Sequence, residues 1–321
     1  MNLDIQDLLI ESCKKMEEYA KDCTIDFVSS DRSCDWYHSS WQYLRAVDCV
    51  SAPQWHIKFY VKAIKERIKR GRIPKILISG TADYSLLHII VSELIDSNVG
   101  AIIDVLDLCK TPLKICEWYV RKLQSAGYNN VVWVKNKNQF SHTSSRNQIF
   151  IHAVKSDITK FNAKSVHERE WEYDVICTDA FLTRFDHKEA GSILEKWASL
   201  LAQDGVVITT VRIYENEAET KQSVALVSNN IHKFCNKVLS QYKDPSFKNA
   251  RERLNIEVED LRFKAFRYIE RMKSNSLGTR DDIRALFENC GFELKTDERD
   301  TVNGEIDETW YCRIVARKRS K

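Results

Sequence analysis

Short apolar runs alternate with amphipathic stretches of helical period from residue 75 onward. The runs cover residues 75–79, 100–107, 130–134, 148–154, 173–179 and 205–211. Between them, apolar positions three and four residues apart predict helices at about 84–97, 112–126 and 187–202. This alternation predicts βαβ units in an α/β fold with a doubly wound, mostly parallel sheet. Two of the runs, 131–134 and 149–154, are both candidates for the third strand.

The segments on either side of this region are predicted to be largely helical. Residues 1–72 carry apolar positions at helical spacing without strand-like alternation, so we expect a helical annex there. A helical insertion is predicted at about 214–277, and its role as a packed hairpin, a substrate lid or a dimer surface stays open. The sequence thus predicts an annex at 1–72 and a core at 73–321 that contains the insertion.

The end of the chain combines a helix with a pair of strands. A helix is predicted to start after Thr279, before an acidic first turn, and to stop at Gly291. Two strand-like segments follow, and a turn around Asn303-Gly304 joins them. We therefore expect the sheet to end in an antiparallel pair.

Charge and composition exclude several classes of partner. The 49 basic and 46 acidic side chains give a net charge of +3, so no overall field attracts nucleic acid, and none is expected as a partner. No apolar stretch approaches the roughly 20 residues of a membrane span, and the chain starts with acidic residues, unlike a signal peptide. Ten cysteines occur without a C-x-x-C pair or another short metal-ligand spacing. We expect a cytoplasmic protein with reduced thiols, no metal site and no membrane contact.

Small or acidic residues follow four of the predicted strands. They are candidate ligands because open α/β sheets bind ligands beyond the carboxyl ends of their strands. After the first strand, Gly80 and Ala82 leave room for a ligand to approach the backbone. Asp107 after the second strand can accept hydrogen bonds from two ribose hydroxyls, and Asp157 after the third from an adenine amino group. Asp179 follows the fourth strand toward the same crevice.

In order and spacing, these residues resemble the class I S-adenosyl-L-methionine-dependent methyltransferases, over about residues 75–215 and 278–319. The resemblance implies a seven-stranded Rossmann-like sheet with an antiparallel terminal strand, and S-adenosyl-L-methionine as the cofactor. It gives Gly80 the role of first loop glycine, Asp107 the ribose role and Asp157 the adenine role. The loop that faces the transferred methyl would be Asp179-Ala180-Phe181. The implied cofactor ligands are Gly80, Thr81, Ala82, Asp83, Asp107, Leu108, Asp157, Ile158, Asp179 and Ala180.

The turn after the first strand departs from the family pattern. Ala82 and Tyr84 stand where further glycines are usual, and Ile78 replaces the acid that commonly precedes the first glycine. Asp83 could compensate by binding the amino group of the cofactor, or it could cap the following helix. The sequence leaves both interpretations open.

The methyl acceptor is expected to be a small molecule. The Asn/Asp-Pro-Pro-aromatic signature, which enzymes that methylate amino groups of nucleic acids and proteins use, is absent after the fourth strand. The annex and the fourth loop instead offer polar and aromatic side chains to a substrate, namely Tyr37, Trp41, Arg45, Tyr60, Phe181 and Arg184. His38 and His56 are the candidate catalytic residues, and His38 shares a helical face with Arg45, which could bind an anion.

Two other functions are compatible with the sequence. A nicotinamide-dependent oxidoreductase would also place an acid after the second strand, but its pyrophosphate requires the G-x-G-x-x-G turn that this chain lacks. A fold without catalysis, which binds the cofactor or serves as a scaffold, would explain the low glycine content of the first turn. A homodimer is compatible with each of these functions.

Overall fold

The computed structural model describes residues 5–23, 34–68, 73–135, 147–167, 171–214, 227–272, 277–305 and 308–319. Its helices are α1 (Ile5–Ala20), α2 (Asp35–Ala46), α3 (Ile57–Ile68), α4 (Ser85–Asp96), α5 (Lys110–Ser125), α6 (Ala163–His167), α7 (His187–Leu200), α8 (Val227–Lys243), α9 (Lys248–Leu254), α10 (Val258–Arg271) and α11 (Arg280–Asn289). Its strands are β1 (Lys75–Ser79), β2 (Ala101–Asp107), β3 (Val131–Val134), β4 (Ile149–Lys155), β5 (Tyr173–Cys177), β6 (Leu201–Ile213), β7 (Phe292–Asn303) and β8 (Glu308–Lys318).

Within the described residues, the strands form one eight-stranded sheet in the order β3-β4-β2-β1-β5-β6-β8-β7. The first six of these positions are parallel, and β8 runs antiparallel between β6 and β7. Strand order reverses at β1, where Ile78 pairs with Val105 of β2 on one side and with Cys177 of β5 on the other. The predicted fold is confirmed, and its ligand crevice is expected at the carboxyl end of β1.

Apolar side chains cover both faces of the sheet, as a parallel sheet requires. Because strand residues alternate between faces, Ile76 and Ile78 join the cluster that contains Ile90 of α4. Leu77 points the other way and joins the cluster that contains Trp197 of α7. The helices that read as amphipathic in the sequence are those that supply these two apolar layers.

Both candidates for the third strand are strands, which is why the sheet has eight strands and not seven. The run at Ile149–Lys155 is β4, and it pairs along the whole of β2. The run at Val131–Val134 is β3, which pairs with β4 and, among the described residues, forms the edge of the sheet. The position of the third strand beside β2 therefore belongs to β4, and Asp157 follows it.

The terminal helix and strands agree with the sequence pattern. Thr279 and Asp282 form a capping box at the start of α11. Gly291, which follows that helix, has a φ of +85°, a conformation that glycine adopts without strain. The β7 strand continues to Asn303, beyond the predicted segment, because β8 pairs with it over most of its length.

The annex and the insertion share one apolar cluster. Leu44 of α2, Phe234 of α8 and Leu261 of α10 are fully buried in it. Of the apolar residues that the insertion sequence offers, Phe263 and Phe266 remain 59% and 40% exposed. Phe263 and Phe266 follow Leu261 by two and five residues. At about 100° per residue, this places them about 160° and 140° from Leu261 around the helix axis, on the opposite side of α10.

Within the described residues, no helix combines the length and the apolar character that crossing a membrane requires.

Candidate functional site

Gly80 forms the turn directly after β1. Its φ is +75°, and its N–H donates to the Leu106 carbonyl at 2.8 Å, which joins the ends of β1 and β2. A Cβ atom at this position would lie 2.3 Å from two ring carbons of Phe181. Glycine is therefore required here by the backbone conformation and by the close approach of the loop after β5.

Asp107 ends β2 beside this turn. Its Oδ2 accepts from the Thr81 N–H at 3.0 Å and its Oδ1 from the Cys109 N–H at 2.7 Å. Burial raises the pKa of Asp107 to about 6, and the two N–H donors oppose the rise. An ionised carboxylate has about four acceptor positions, so two remain for hydroxyl donors. The neighbouring Leu108 is 45% exposed and offers an apolar surface at the same edge.

The loop after β4 is attached to the loop after β2. The Ser156 N–H donates to the Asp107 carbonyl at 3.0 Å. Within this loop, Asp157 Oδ1 accepts from the N–H and the hydroxyl of Thr159 at 2.9 and 2.8 Å, and Ile158 is buried. The structure therefore brings Asp157 and Ile158 to the same edge as Asp107, with one Asp157 oxygen engaged in its own turn.

Asp179 lies on the other side of the crevice, after β5. Its Oδ1 accepts from the hydroxyls of Tyr60 and Thr210, each at 2.7 Å. The Thr210 oxygen also accepts from the Ala180 N–H at 3.1 Å, and Ala180 has a φ of +48°. Tyr60 is fully buried beneath the loop, and burial, with Asp179 nearby, raises the pKa of its phenol well above the ordinary value. Tyr60 thus holds Asp179 in place from the annex.

Asp83 and Arg45 form a buried ion pair between the first turn and the annex. The other Asp83 oxygen accepts from the Ser85 N–H at 2.8 Å, at the start of α4. Arg45 also donates through Nε to Gln54 at 3.1 Å. The Asp83 carboxylate is therefore engaged at the helix start and by Arg45, and the Arg45 charge is balanced inside the protein.

Aromatic rings surround the Arg45 guanidinium. Its carbon lies 5.8 Å from the centre of the Trp41 ring and 5.6 Å from that of Tyr84. Trp41 is buried, and the half-buried Ala82 packs against the cluster shared by annex and insertion. Of the predicted residues, Trp41, Arg45, Ala82 and Asp83 therefore join the packing between annex and core.

Tyr37 is the point where annex, insertion and fourth loop meet. Its ring stacks on Tyr268 of α10 with centroids 6.1 Å apart. The Arg184 guanidinium lies 5.2 Å from the Tyr37 centroid, and its Nη2 donates to the Tyr37 hydroxyl at 3.3 Å. The structure thus brings together two predicted substrate ligands, Tyr37 and Arg184, with Tyr268, which the sequence analysis missed.

His56 is 1% exposed and lies near the Asp179 side of the crevice. Its Nδ1 accepts from Arg313 Nε at 3.2 Å, because a guanidinium can only donate. Burial lowers the pKa of the imidazole, and the nearby Asp179 charge opposes this effect. The neutral ring then carries its proton on Nε2, which has no hydrogen-bond partner among the described residues. This tautomer suits a hydrogen-bond donor better than a general base.

His38 lies elsewhere. It is buried in the first turn of α2, with one ring nitrogen close to the thiols of Cys23, Cys34 and Cys109. A positive charge on the His38 imidazole would lower the pKa of Asp107. The two histidines that the sequence offers as catalytic residues therefore have different surroundings.

No family model and no curated protein sequence matches the chain. Its fold is similar to the magnesium protoporphyrin IX methyltransferase of Synechocystis PCC 6803, with 11% identity, 98% of each chain covered and a TM-score of 0.45. It is similar to the N-methyltransferase NodS of Bradyrhizobium japonicum WM9, with 9% identity, 98% of this chain and 100% of that chain covered, and a TM-score of 0.44. A third similar structure is a methyltransferase of Methanosarcina mazei, with 14% identity, 81% and 98% coverage and a TM-score of 0.47. At these identities the likeness concerns the fold alone.

Several polar residues of the crevice were missed by sequence reasoning. Thr210 could have been found, because it lies near the carboxyl end of the apolar run of β6. Glu305 accepts from the Ser51 N–H at 3.4 Å and lies 3.8 Å from Arg212, on segments far apart in sequence. No local pattern marks such a contact, and none marks Tyr268.

Proposed function

We propose that this protein is an S-adenosylmethionine-dependent methyltransferase that acts on a small molecule. The observation that carries the proposal is the position of Asp107. Its carboxylate ends β2, is oriented by the Thr81 N–H of the glycine turn, and lies next to the strand-order reversal at β1. Acceptors at this place in an open α/β sheet suit the ribose of a nucleoside ligand.

The residues around Asp107 fit the cofactor. Leu108 offers an exposed apolar surface, and Asp157 and Ile158 lie on the adjoining loop, which the Ser156 N–H joins to the Asp107 carbonyl. S-adenosylmethionine would supply an electrophilic methyl group on a positively charged sulfur. Its lack of a pyrophosphate suits a turn that has one glycine, because phosphate cradles require several.

The acceptor side would be formed by Tyr37 and Arg184, which contact each other, and by Asp179 with the neighbouring His56. Tyr268 supports the Tyr37 ring from below, because it stacks on that ring and is itself buried. Aromatic rings and a cation suit a small polar or aromatic acceptor. Asp179, held by Tyr60 and Thr210, and the Nε2–H of His56 would orient the acceptor atom for an in-line displacement. The annex and insertion would exclude water from the reaction.

A calorimetric titration with S-adenosylmethionine, S-adenosylhomocysteine and NADH tests this function. We expect the first two to bind and NADH not to bind. Asp107→Ala should weaken binding of S-adenosylhomocysteine by about 1–3 kcal/mol, the cost of losing a charge-assisted acceptor. Asp204→Ala is the matched control, because Asp204 is exposed near the amino end of β6 and should leave the affinity unchanged.

Two results would overturn the proposal. Binding of NADH alone would indicate an oxidoreductase, and equal affinities of the wild-type protein and Asp107→Ala would place the cofactor elsewhere. The second candidate function is a cofactor-binding or scaffold protein without transfer activity. Packing of the Phe181 ring against Gly80 favours it, because the ring narrows the approach to the turn. Cofactor binding without methyl transfer to any member of a panel of small-molecule acceptors would support it.

A further inference from the structure

Three cysteines and one histidine meet where the annex packs against the core. They are Cys23, Cys34, His38 and Cys109, whose exposed fractions are 9%, 0%, 4% and 6%. Each offers one potential ligand atom, and these four atoms lie within 4.8 Å of one another. The Cys109 Sγ lies 3.5 Å from the Sγ of Cys34 and 3.8 Å from that of Cys23. The four potential ligand atoms are separate from the residues assigned to the cofactor, although the Cys109 N–H donates to Asp107.

The four residues come from three separate parts of the chain. Cys23 follows α1, Cys34 and His38 lie at the start of α2, and Cys109 is the N-cap of α5. Their spacing in sequence resembles no short metal-ligand motif, which explains why the sequence predicted no metal site. Folding alone brings them together.

The distances between the sulfur atoms fit shared ligation better than a covalent bond. All three cysteines are free thiols, and a disulfide would bring two sulfurs to about 2.05 Å. In a tetrahedral site with Zn–S bonds of about 2.3 Å, neighbouring sulfurs lie about 3.8 Å apart. We propose that Cys23, Cys34, His38 and Cys109 bind one divalent zinc-class ion in a tetrahedral site with three sulfur ligands and one nitrogen ligand.

Two helix N-termini and one threonine lie next to the sulfur atoms. Cys34 and Cys109 lie at the N-termini of α2 and α5, where the helix dipole stabilises negative charge. The Thr111 N–H donates to the Cys109 Sγ at 3.4 Å, and the Thr111 Oγ1 lies 3.1 Å from the Cys23 Sγ. Contacts of this kind orient and stabilise ligands around metal ions.

His38 distinguishes the cluster from cysteines that are merely packed together. One of its ring nitrogens lies within 4.8 Å of all three sulfur atoms, and the imidazole forms a hydrogen bond with the Cys109 thiol. Its Nδ1 is buried without a hydrogen-bond partner among the described residues. An apolar pocket of thiols gains nothing from a buried imidazole, whereas nitrogen and sulfur together are the usual ligands of zinc.

The proposed site is structural, not catalytic. Four protein ligands complete a tetrahedral shell and leave no open position for substrate. The ion would fasten the ends of α1 and α2 to Cys109, which follows Asp107 by two residues and donates its N–H to that carboxylate. Metal binding would thereby stabilise the annex and the loop that carries Asp107.

The test measures the metal directly and needs no catalytic activity. We expect the purified protein to contain about one zinc per chain. After removal of zinc by a chelator, titration with Co²⁺ should give an intense visible absorption and a sulfur-to-cobalt charge-transfer band, which Zn²⁺ abolishes. Cys34→Ser should weaken Co²⁺ binding at least about tenfold, the minimum effect of disturbing a metal's surroundings. Cys290→Ser, at a half-buried thiol after α11, should bind Co²⁺ like the wild type.

Three outcomes would overturn the proposal. The first is a folded wild-type protein that binds no Co²⁺ with charge-transfer bands. The second is a disulfide between two of the three cysteines in protein kept under reducing conditions, detected by mass spectrometry. The third is equal binding by Cys34→Ser and Cys290→Ser. If Cys34→Ser does not fold, the spectrum of the Co²⁺-loaded wild type decides the question by itself. Failure of the cofactor titration would leave this result unaffected.

Discussion

At the scale of single residues, the crevice depends on a few positions that tolerate no larger or less polar side chain. Gly80 combines a positive φ with contact to the Phe181 ring, and Asp107 fixes the adjoining loop through two N–H donors. These contacts give the turn after β1 its shape without the further glycines that such turns usually carry. Substituting either residue should therefore change a measurable property, namely the stability of the protein or its affinity for the cofactor.

Gly80→Ala should destabilise the protein by more than the strain of a left-handed alanine, which is about 1–2 kcal/mol. The added Cβ meets the Phe181 ring as well. Gly127→Ala is a matched control, because Gly127 has a φ of +93° and a Cβ added there would meet no atom within 4 Å. Urea unfolding should give a larger loss for Gly80→Ala, and equal losses would refute the contact with Phe181.

The Arg45–Asp83 pair should behave as a buried ion pair. Arg45→Met leaves the Asp83 charge without its partner, and we expect a loss of about 3–5 kcal/mol in the free energy of unfolding. Adding Asp83→Asn should recover part of it, since no charge then remains buried. The exposed pair Lys15–Glu18 is the control, and Lys15→Ala should cost less than about 1 kcal/mol. If the double variant lost the sum of the unfolding free energies that Arg45→Met and Asp83→Asn each lose alone, the two side chains would not be paired.

Sequence reasoning succeeded for residues at strand ends and failed for contacts made over long separations. Asp107, Asp157 and Asp179 follow apolar runs, so their common edge could be predicted from the parallel sheet. The partner of Asp83 could not, because Arg45 is 38 residues away on an annex helix. The sequence therefore left both roles of Asp83 open. In the structure, its carboxylate accepts a hydrogen bond from the Ser85 N–H at the start of α4 and pairs with Arg45.

At the scale of elements, pairing across the chain decides what local pattern leaves open. The runs that became β3 and β4 are both short and apolar, and only their neighbours in the sheet distinguish them. Helices were predicted more securely, because their period of apolar positions is a local property.

A titratable side chain joins α4 to α5. The Nδ1 atom of the buried His88 in α4 lies 2.9 Å from the Tyr119 hydroxyl of α5.

Acid should weaken this contact between helices. Burial, followed by the Arg45 charge, lowers the pKa of His88 to about 4, while Asp83 opposes the shift. Because the unfolded histidine has a pKa near 6.5, the unfolded state binds more protons between pH 6.5 and 4. Stability contributed by neutral His88 is therefore present above pH 6.5 and is lost as the pH falls, by up to about 3 kcal/mol.

Unfolding of the wild type and of His88→Gln should be compared at pH 7 and pH 4.5. We expect the variant to lose less stability on acidification, because glutamine does not titrate. His187→Gln, at an exposed position at the start of α7, should follow the wild type. Parallel pH profiles for all three proteins would exclude His88 as a source of acid sensitivity.

At the scale of the whole molecule, the annex and the insertion are one helical layer. They are separated in sequence by the core, yet Leu44, Phe234 and Leu261 bury one another's surface. The sequence indicated helices in both segments but not that they pack together, because no local pattern encodes a contact across about 200 residues.

Leu261→Ala should therefore affect a distant part of the chain. Truncating this fully buried side chain should cost about 2–5 kcal/mol, and amide exchange should accelerate in α2 as well as in α10. Phe263→Ala removes a larger side chain that is 59% exposed, and it should change neither stability nor exchange appreciably. Faster exchange confined to α10 would show that the two segments are independent.

The hydrogen bond from Tyr60 to Asp179 bears on how such a protein could be re-engineered. Since α3 of the annex supplies the group that fixes the loop after β5, the annex is not an interchangeable module. A chimaera that replaced residues 1–72 to alter the acceptor would also release Asp179. An exchange that kept α3 with the core would preserve this hydrogen bond, but it would also have to keep Arg45 of α2, which pairs with Asp83 of the core.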